Sequence, residues 1–111
     1  MKIITVCGSV RFANEMLKFR DEQHNMGSWV LLPENMELDV QQIDAEVKQK
    51  MDILHFRKIE LADEILIWNR ELYIGESTSR EIEYAHLLHK PVYFLESSSQ
   101  LTPLFSMSLD R

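Results

Sequence analysis

Two hydrophobic patterns alternate along this chain: short, nearly continuous apolar runs, and longer stretches in which apolar residues return at helical spacing. "KIITVC" near the start is rich in Ile, Val and Thr without alternation, the pattern of a strand buried on both faces of a parallel sheet, and it ends at "GS". From Phe12 to about His24, Phe12, Met16 and Phe19 recur at helical spacing with Leu17 alongside, and "HNMG" supplies a stop. "SWVLLP" reads as a second short strand closed by Pro33. Residues 34–42 are polar and acidic and predict a loop. From Ile43, the stripe Val47, Met51, Leu54, Leu61 and Ala62 predicts one long or broken helix reaching "LAD". "EILIWN", "STSREIEYAHLL" and "PVYFL" then predict strand, helix and strand. The tail "ESSSQLTPLFSMSLDR" fits a short last strand, a helical turn or a partner contact.

Strands alternating with helices imply right-handed crossovers. They predict a compact doubly wound α/β domain, Rossmann- or flavodoxin-like, with four to five mainly parallel strands. A length of 111 residues fits one domain over 1–111, and no repeat or linker divides it. In such sheets ligands bind beyond the carboxyl ends of the strands. That edge should collect Gly8, Ser9 and Arg11 after the first strand, Asn69 after the third, and the segment 73–81, where Gly75, Ser77 and Thr78 are the candidate ligand contacts.

The formal net charge of -6, from 12 basic and 18 acidic residues, argues against broad neutralisation of a nucleic-acid polymer but leaves room for a local anion site. The single Cys7 lies in an apolar run and reads as a small core residue in a reducing, intracellular setting. No stretch resembles a secretory leader or approaches the length of a membrane span, so the expectation is a soluble cytoplasmic protein without a membrane partner. His24 and His55 have no partners at metal-ligand spacing, and one cysteine excludes a thiolate zinc cluster, so neither metal nor cofactor is expected. No serine occupies a G-x-S-x-G elbow.

"CGSVRF" places Gly8 and Ser9 where a strand turns into a helix, so backbone N–H groups can face an anion, and Arg11 adds a planar donor. An anion cradle and a plain tight turn with a serine cap both fit. In the later helix, Thr78 followed three residues on by Glu81 matches a capping box. Stepping by about 100° per residue, Ala85 and Leu88 fall within roughly 40° of Glu81, and Tyr84 about 60° to one side. Glu81 therefore lies near the middle of the inward face, whereas Glu83 and His86 belong to solvent and Glu76 to the preceding loop. The positive end of the helix would favour ionised Glu81, which suits a nucleophile better than a general acid. Capping and nucleophilic roles both remain open for it, as turn and functional roles do for Asp63. Trp68 and Tyr73 are either core residues or stacking partners for a base.

The ordered set "VCGSVRF", "KIELADEILIWN" and "YIGESTSREIEYAHLLHKPVYFLE", spanning Ile3 to Glu96, resembles the nucleoside 2-deoxyribosyltransferase-like superfamily, which includes nucleotide N-glycosidases. The resemblance implies a five-stranded doubly wound domain that cleaves the bond between a base and a (deoxy)ribose without a cofactor. By the same resemblance, Glu81 attacks the anomeric carbon and Asp63 assists at the base or sugar. Ser9 and Arg11 would hold a 5'-phosphate. It further implies a small nucleoside or nucleotide as ligand and a homodimer or higher oligomer, with "LTPLFSM" as a possible contact. A carboxylate nucleophile meeting an oxocarbenium-like transition state is a common route to glycosidic cleavage with retention. Two positions depart from the pattern: Glu83 where many relatives carry Gly, and Asn69 where an acidic residue is common. The competing readings are a non-catalytic nucleotide-binding module that uses the same pocket, and a structural subunit in which Glu81 only caps.

Overall fold

The computed structural model describes residues 1–34 and 44–96. In chain order these form β1 (Ile3–Gly8), a 3-10 turn (Val10–Phe12), α1 (Ala13–Asn25), β2 (Trp29–Leu31), α2 (Ala45–Leu61), β3 (Glu64–Trp68), a second 3-10 turn (Arg70–Leu72), α3 (Glu76–Leu87) and β4 (Val92–Phe94). The strands make one four-stranded sheet in the order β2-β1-β3-β4, with every neighbouring pair parallel. This is the doubly wound α/β architecture that the alternating pattern predicts. The expected fifth strand and apolar tail contact fall on 97–111, and the expected loop over 34–42 falls, apart from Glu34, on 35–43, both outside the described residues. No helix among the described residues is long and apolar enough to cross a membrane.

Alternation along the central strands sorts side chains onto two faces. Ile4, Val6, Leu66 and Trp68 join Met16 and Phe19 of α1 in one core, while Cys7, Ile65 and Ile67 join Ile59 of α2 and Ala85 of α3 in the other. The near-continuous apolar runs of β1 and β3 follow from this, because both faces of each strand are covered by helices.

Two helix assignments change. The inward line of α2 is Met51, His55 and Ile59, spaced four apart and all buried. Three residues of the predicted stripe, Val47, Leu54 and Leu61, are instead spaced seven apart on the exposed side, with Leu54 and Leu61 at 53% and 64% exposure. The apolar pattern misled because a polar histidine holds the centre of the buried line. α3 begins at Glu76, earlier than the capping box requires, with Gly75 as its cap and no side-chain cap bond. Glu81 therefore sits in the second turn, beyond reach of the first amides, and the capping reading fails. Glu76 belongs to the first helical turn rather than to a loop, and its carboxylate pairs with Arg80 at 3.2 Å. Glu83 and His86 are exposed, as the helical angles predict. The helix ends at left-handed His89 (φ 59°), with Lys90 N–H donating to Ala85 O at 3.0 Å, six residues closing onto one as in a Schellman cap.

Gly8 ends β1 opposite Trp68 of β3. A Cβ there would lie 2.9 Å from Trp68 Cβ, 3.0 Å from Trp68 O and 3.0 Å from Met16 Cε. Met16 can swing aside, but the Trp68 backbone is fixed in the sheet. Gly8→Ala should therefore destabilise the fold by about 1–3 kcal/mol through overpacking, read as a lower urea midpoint with unchanged slope.

Candidate functional site

The chain leaves β1 towards β2 on one side and leaves the adjacent β3 towards β4 on the other, so the connections at their carboxyl ends run in opposite directions and leave a crevice between them. A cleft of about 270 Å³ occupies that place. The Gly8–Val10 turn forms one wall, Met51, Asp52 and His55 of α2 a second, and the start of α3 with Glu81 a third. The cleft's volume lies just under the roughly 300 Å³ at which small-ligand sites begin.

Glu81 lies at the floor, only 8% exposed. Burial raises its carboxyl pKa above the ordinary value; the charge of His55 and a hydrogen bond with the Cys7 thiol pull the other way. His55 Nε2 stands 3.7 Å from Glu81 Oε1 and 3.3 Å from Cys7 Sγ. On the other side of the ring, His55 Nδ1 is 3.3 Å from Glu34 Oε2, and Glu34 Oε1 is 3.0 Å from Lys58 Nζ. Neither His55 Nδ1 nor Glu34 Oε1 meets hydrogen-bond geometry in these last two approaches. Burial opposes ionisation of Glu34, but its contacts with His55 and Lys58 hold its carboxyl below the ordinary value. Cys7 is wholly buried, and burial together with nearby Glu81 pushes its thiol well up. Cys7, His55 and Glu81 offer three donor atoms within 4.8 Å of one another, a spacing at which a metal ion can be held.

Across the mouth, Lys48 Nζ reaches Asp52 Oδ1 at 2.5 Å and donates to Ser77 Oγ at 3.1 Å, tying α2 to the start of α3. Beside it, Tyr73 follows two consecutive left-handed residues, Glu71 (φ 58°) and Leu72 (φ 62°). Non-glycine residues in that region cost about 1–3 kcal/mol each unless their surroundings hold them. Here Glu96 does so: Oε1 accepts from Glu71 N at 3.0 Å and Oε2 from Arg70 Nη1 at 3.0 Å. Arg70 is also bound to Glu15 Oε1 at 2.8 Å.

Three solved structures share this arrangement of strands and helices. The 2-deoxyribosyltransferase from Leishmania mexicana aligns with TM-score 0.64 and 19% identity over 85% of this chain. The 2-deoxyribosyltransferase of Bacillus psychrosaccharolyticus gives 0.65 and 19% over 93%, and the Clostridium botulinum CMP N-glycosidase BcmB gives 0.53 and 14% over 84%. The chain has a nucleoside 2-deoxyribosyltransferase-like fold. It spans 63%, 78% and 70% of the lengths of those three proteins. No protein-family model and no curated protein sequence matches it.

Within this deoxyribosyltransferase-like fold, Gly8, Ser9, Gly75, Ser77, Thr78 and Glu81 all line the cleft. Arg11 stands at its rim, its guanidinium 4.3 Å from the centre of the Tyr73 ring, and Tyr73 itself lines the wall. Ser9 Oγ accepts from Arg11 N at 3.3 Å, so the serine cap of the tight turn is present. Asn69 points elsewhere: its side chain donates to Glu96 O at 2.7 Å and accepts from Glu96 N at 2.9 Å, stitching the ends of β3 and β4. The structure does not bring Asp63 to the cleft. Its carboxylate accepts from Ile3 N at 2.8 Å and its own N–H donates to Ile3 O, at the edge where the parallel strands begin. A residue preceding β3 and a residue following β1 stand at opposite ends of the sheet. Trp68 is core, packed edge-on against Phe19 and donating to Glu15 Oε1 at 2.9 Å.

Sequence reasoning missed His55, Glu34 and Lys48. A signal existed for His55 alone, as the polar member of the four-spaced line Met51, His55, Ile59.

Because the folded pKa of Glu81 lies above that of the unfolded chain, its contribution to stability is full below the ordinary carboxylate pKa and is lost as pH rises through the folded value. Glu81→Gln removes that loss. With a chelator present, it should melt several degrees above the parent at pH 8, and the gap should close near pH 4; a lower melting temperature at pH 8 would contradict the assignment.

Proposed function

We propose that this protein is a nucleoside or nucleotide N-glycosidase or deoxyribosyltransferase that cleaves the base-sugar bond of a small (deoxy)nucleoside monophosphate. The observation that carries this reading is a buried carboxylate, Glu81, at the floor of a small cleft on the ligand-binding edge of the sheet, with a histidine beside it. The fold it shares with two 2-deoxyribosyltransferases and a CMP N-glycosidase supports the same chemistry.

In this mechanism a Glu81 oxygen attacks the anomeric carbon as the bond to the base breaks, through an oxocarbenium-like transition state, and leaves a glycosyl ester on the enzyme. Water or a second base then releases the sugar. Burial disfavours the carboxylate that must attack, while the adjacent His55 pulls the other way and developing positive charge on the sugar strengthens the attraction. His55 thus takes the supporting role that the resemblance gave to Asp63, which the fold keeps at the far edge. The phosphate end is at the rim, where Ser9, Arg11 and the amides at the start of α3 converge. Gly75 caps that helix without a side-chain bond, so those amides are open to an anion. The reaction itself needs no cofactor. The exposed apolar residues Leu54 and Leu61 of α2 and Leu87 of α3 fit the homo-oligomer expected of this fold.

Incubation with a panel of nucleoside monophosphates, with free base followed by chromatography, should show release that falls about 10³-fold or more in Glu81→Ala. His55→Ala should lower kcat more than it alters KM. Tight monophosphate binding without turnover in either protein would instead establish the non-catalytic binding module. Arg11→Ala should weaken 5'-monophosphates by roughly tenfold or more, the worth of one charge-assisted hydrogen bond, and leave nucleosides nearly unchanged. Equal weakening of both would remove the phosphate assignment.

A further inference from the structure

We propose that Cys7, His55 and Glu81 form a binding site for a zinc-like divalent cation, with Glu34 orienting His55 from behind and the remaining coordination position open to the cleft. Thiolate, imidazole and carboxylate together are the donor set of zinc and its transition-metal neighbours, not of calcium or magnesium, which take oxygen alone. Three protein ligands with a fourth position left for water or substrate is the composition of open zinc sites.

Two of the three donor distances agree with one ion. With a metal-sulfur bond of about 2.3 Å and metal-nitrogen and metal-oxygen bonds of about 2.0 Å, tetrahedral geometry sets the donor atoms roughly 3.3–3.6 Å apart. Sγ of Cys7 lies 3.3 Å from Nε2 of His55, and that nitrogen lies 3.7 Å from Oε1 of Glu81. The third pair, Cys7 and Glu81, is held within 4.8 Å, and a bound ion would draw these two donors together. Each ligand also comes from a different regular element, Cys7 from β1, His55 from α2 and Glu81 from α3, so the packing of sheet and helices holds the set together.

The surroundings of His55 supply an independent observation. Metal-binding histidines usually give their other ring N–H to a carboxylate, which fixes the ring and its tautomer. Glu34 Oε2 stands 3.3 Å from His55 Nδ1 and is itself held by Lys58, which also donates to Leu32 O at 2.6 Å. A metal on Nε2 would leave the ring proton on Nδ1, on the side where Glu34 stands. This is the only group of three such donors found among the described residues.

An ion there would occupy the Glu81 oxygen that attacks the sugar, so zinc would compete with substrate and hold the enzyme silent. That inhibition rests on the proposed function; the metal site does not.

Cobalt(II) titration of the whole protein decides the matter, because the chain has one cysteine and any thiolate-to-cobalt absorption in the near ultraviolet reports on Cys7. The expected result is one cobalt per chain with that band, displaced by zinc and accompanied by proton release. Cys7→Ser should abolish the band, and Glu34→Gln should weaken binding by about 10–100-fold. If Cys7→Ser fails to show a cooperative melt, His55→Ala in the same titration replaces it, and loss of the band is again expected. Absence of binding to the folded parent, or binding without a thiolate band through surface histidines and carboxylates, overturns the site. Base release measured with chelator tests the glycosidase separately: release with no metal band would sink only the metal site, and a band without release only the glycosidase.

Discussion

β1 pairs in parallel with both β2 and β3, and this double pairing governs the rest of the molecule. Parallel neighbours require crossovers, the crossovers lay helices on both faces, and the strand is consequently buried on each side. Because the chain leaves β1 towards β2 and β3 towards β4, it parts above Gly8, and the space left there is the cleft. The lack of a side chain at Gly8 lets β1 close against Trp68. One residue thus serves both the packing of the sheet and the opening of the site.

Inside the opening, charge is arranged in alternation. Glu81, His55, Glu34 and Lys58 run from the floor of the cleft outward, each within 3.0 to 3.7 Å of the next. Such a row is a poor source of stability, since desolvation of its members opposes most of their attraction. Its value lies in setting a buried carboxylate beside an imidazole that no solvent can replace. Cys7 at the inner end is shut from water and has no charge of its own to add unless a metal draws off its proton.

Much of the fold was legible in the sequence, because strands buried on both faces leave continuous apolar runs and helices leave periodic ones. The site was legible only where a turn carried it. Gly8 and Ser9 could be placed from "CGSVRF", and the inward direction of Glu81 from helical angles alone. His55 was not, because it occupies a core position with a polar side chain, and the apolar residues at 47, 54 and 61 offered a competing stripe that faces outward. Glu34 could not have been found by spacing, since only the return of α2 against the end of β2 brings it to His55 and Lys58. Asp63 shows the converse: its order in the chain matched a motif, yet the direction of a parallel strand puts it at the wrong end.

The turn that carries Tyr73 has a further consequence. The first of its left-handed residues, Glu71, is held by the carboxylate of Glu96, the second, Leu72, donates its N–H to Asn69 O, and the Asn69 side chain binds the backbone of Glu96. The opposite bank of the cleft is held by Lys48, which joins α2 to α3. The two banks therefore have separate moorings, one at the far end of β4 and one between helices. A force applied at residue 96 would move the aromatic bank, and Arg11 above it, while leaving Glu81 and His55 where they are.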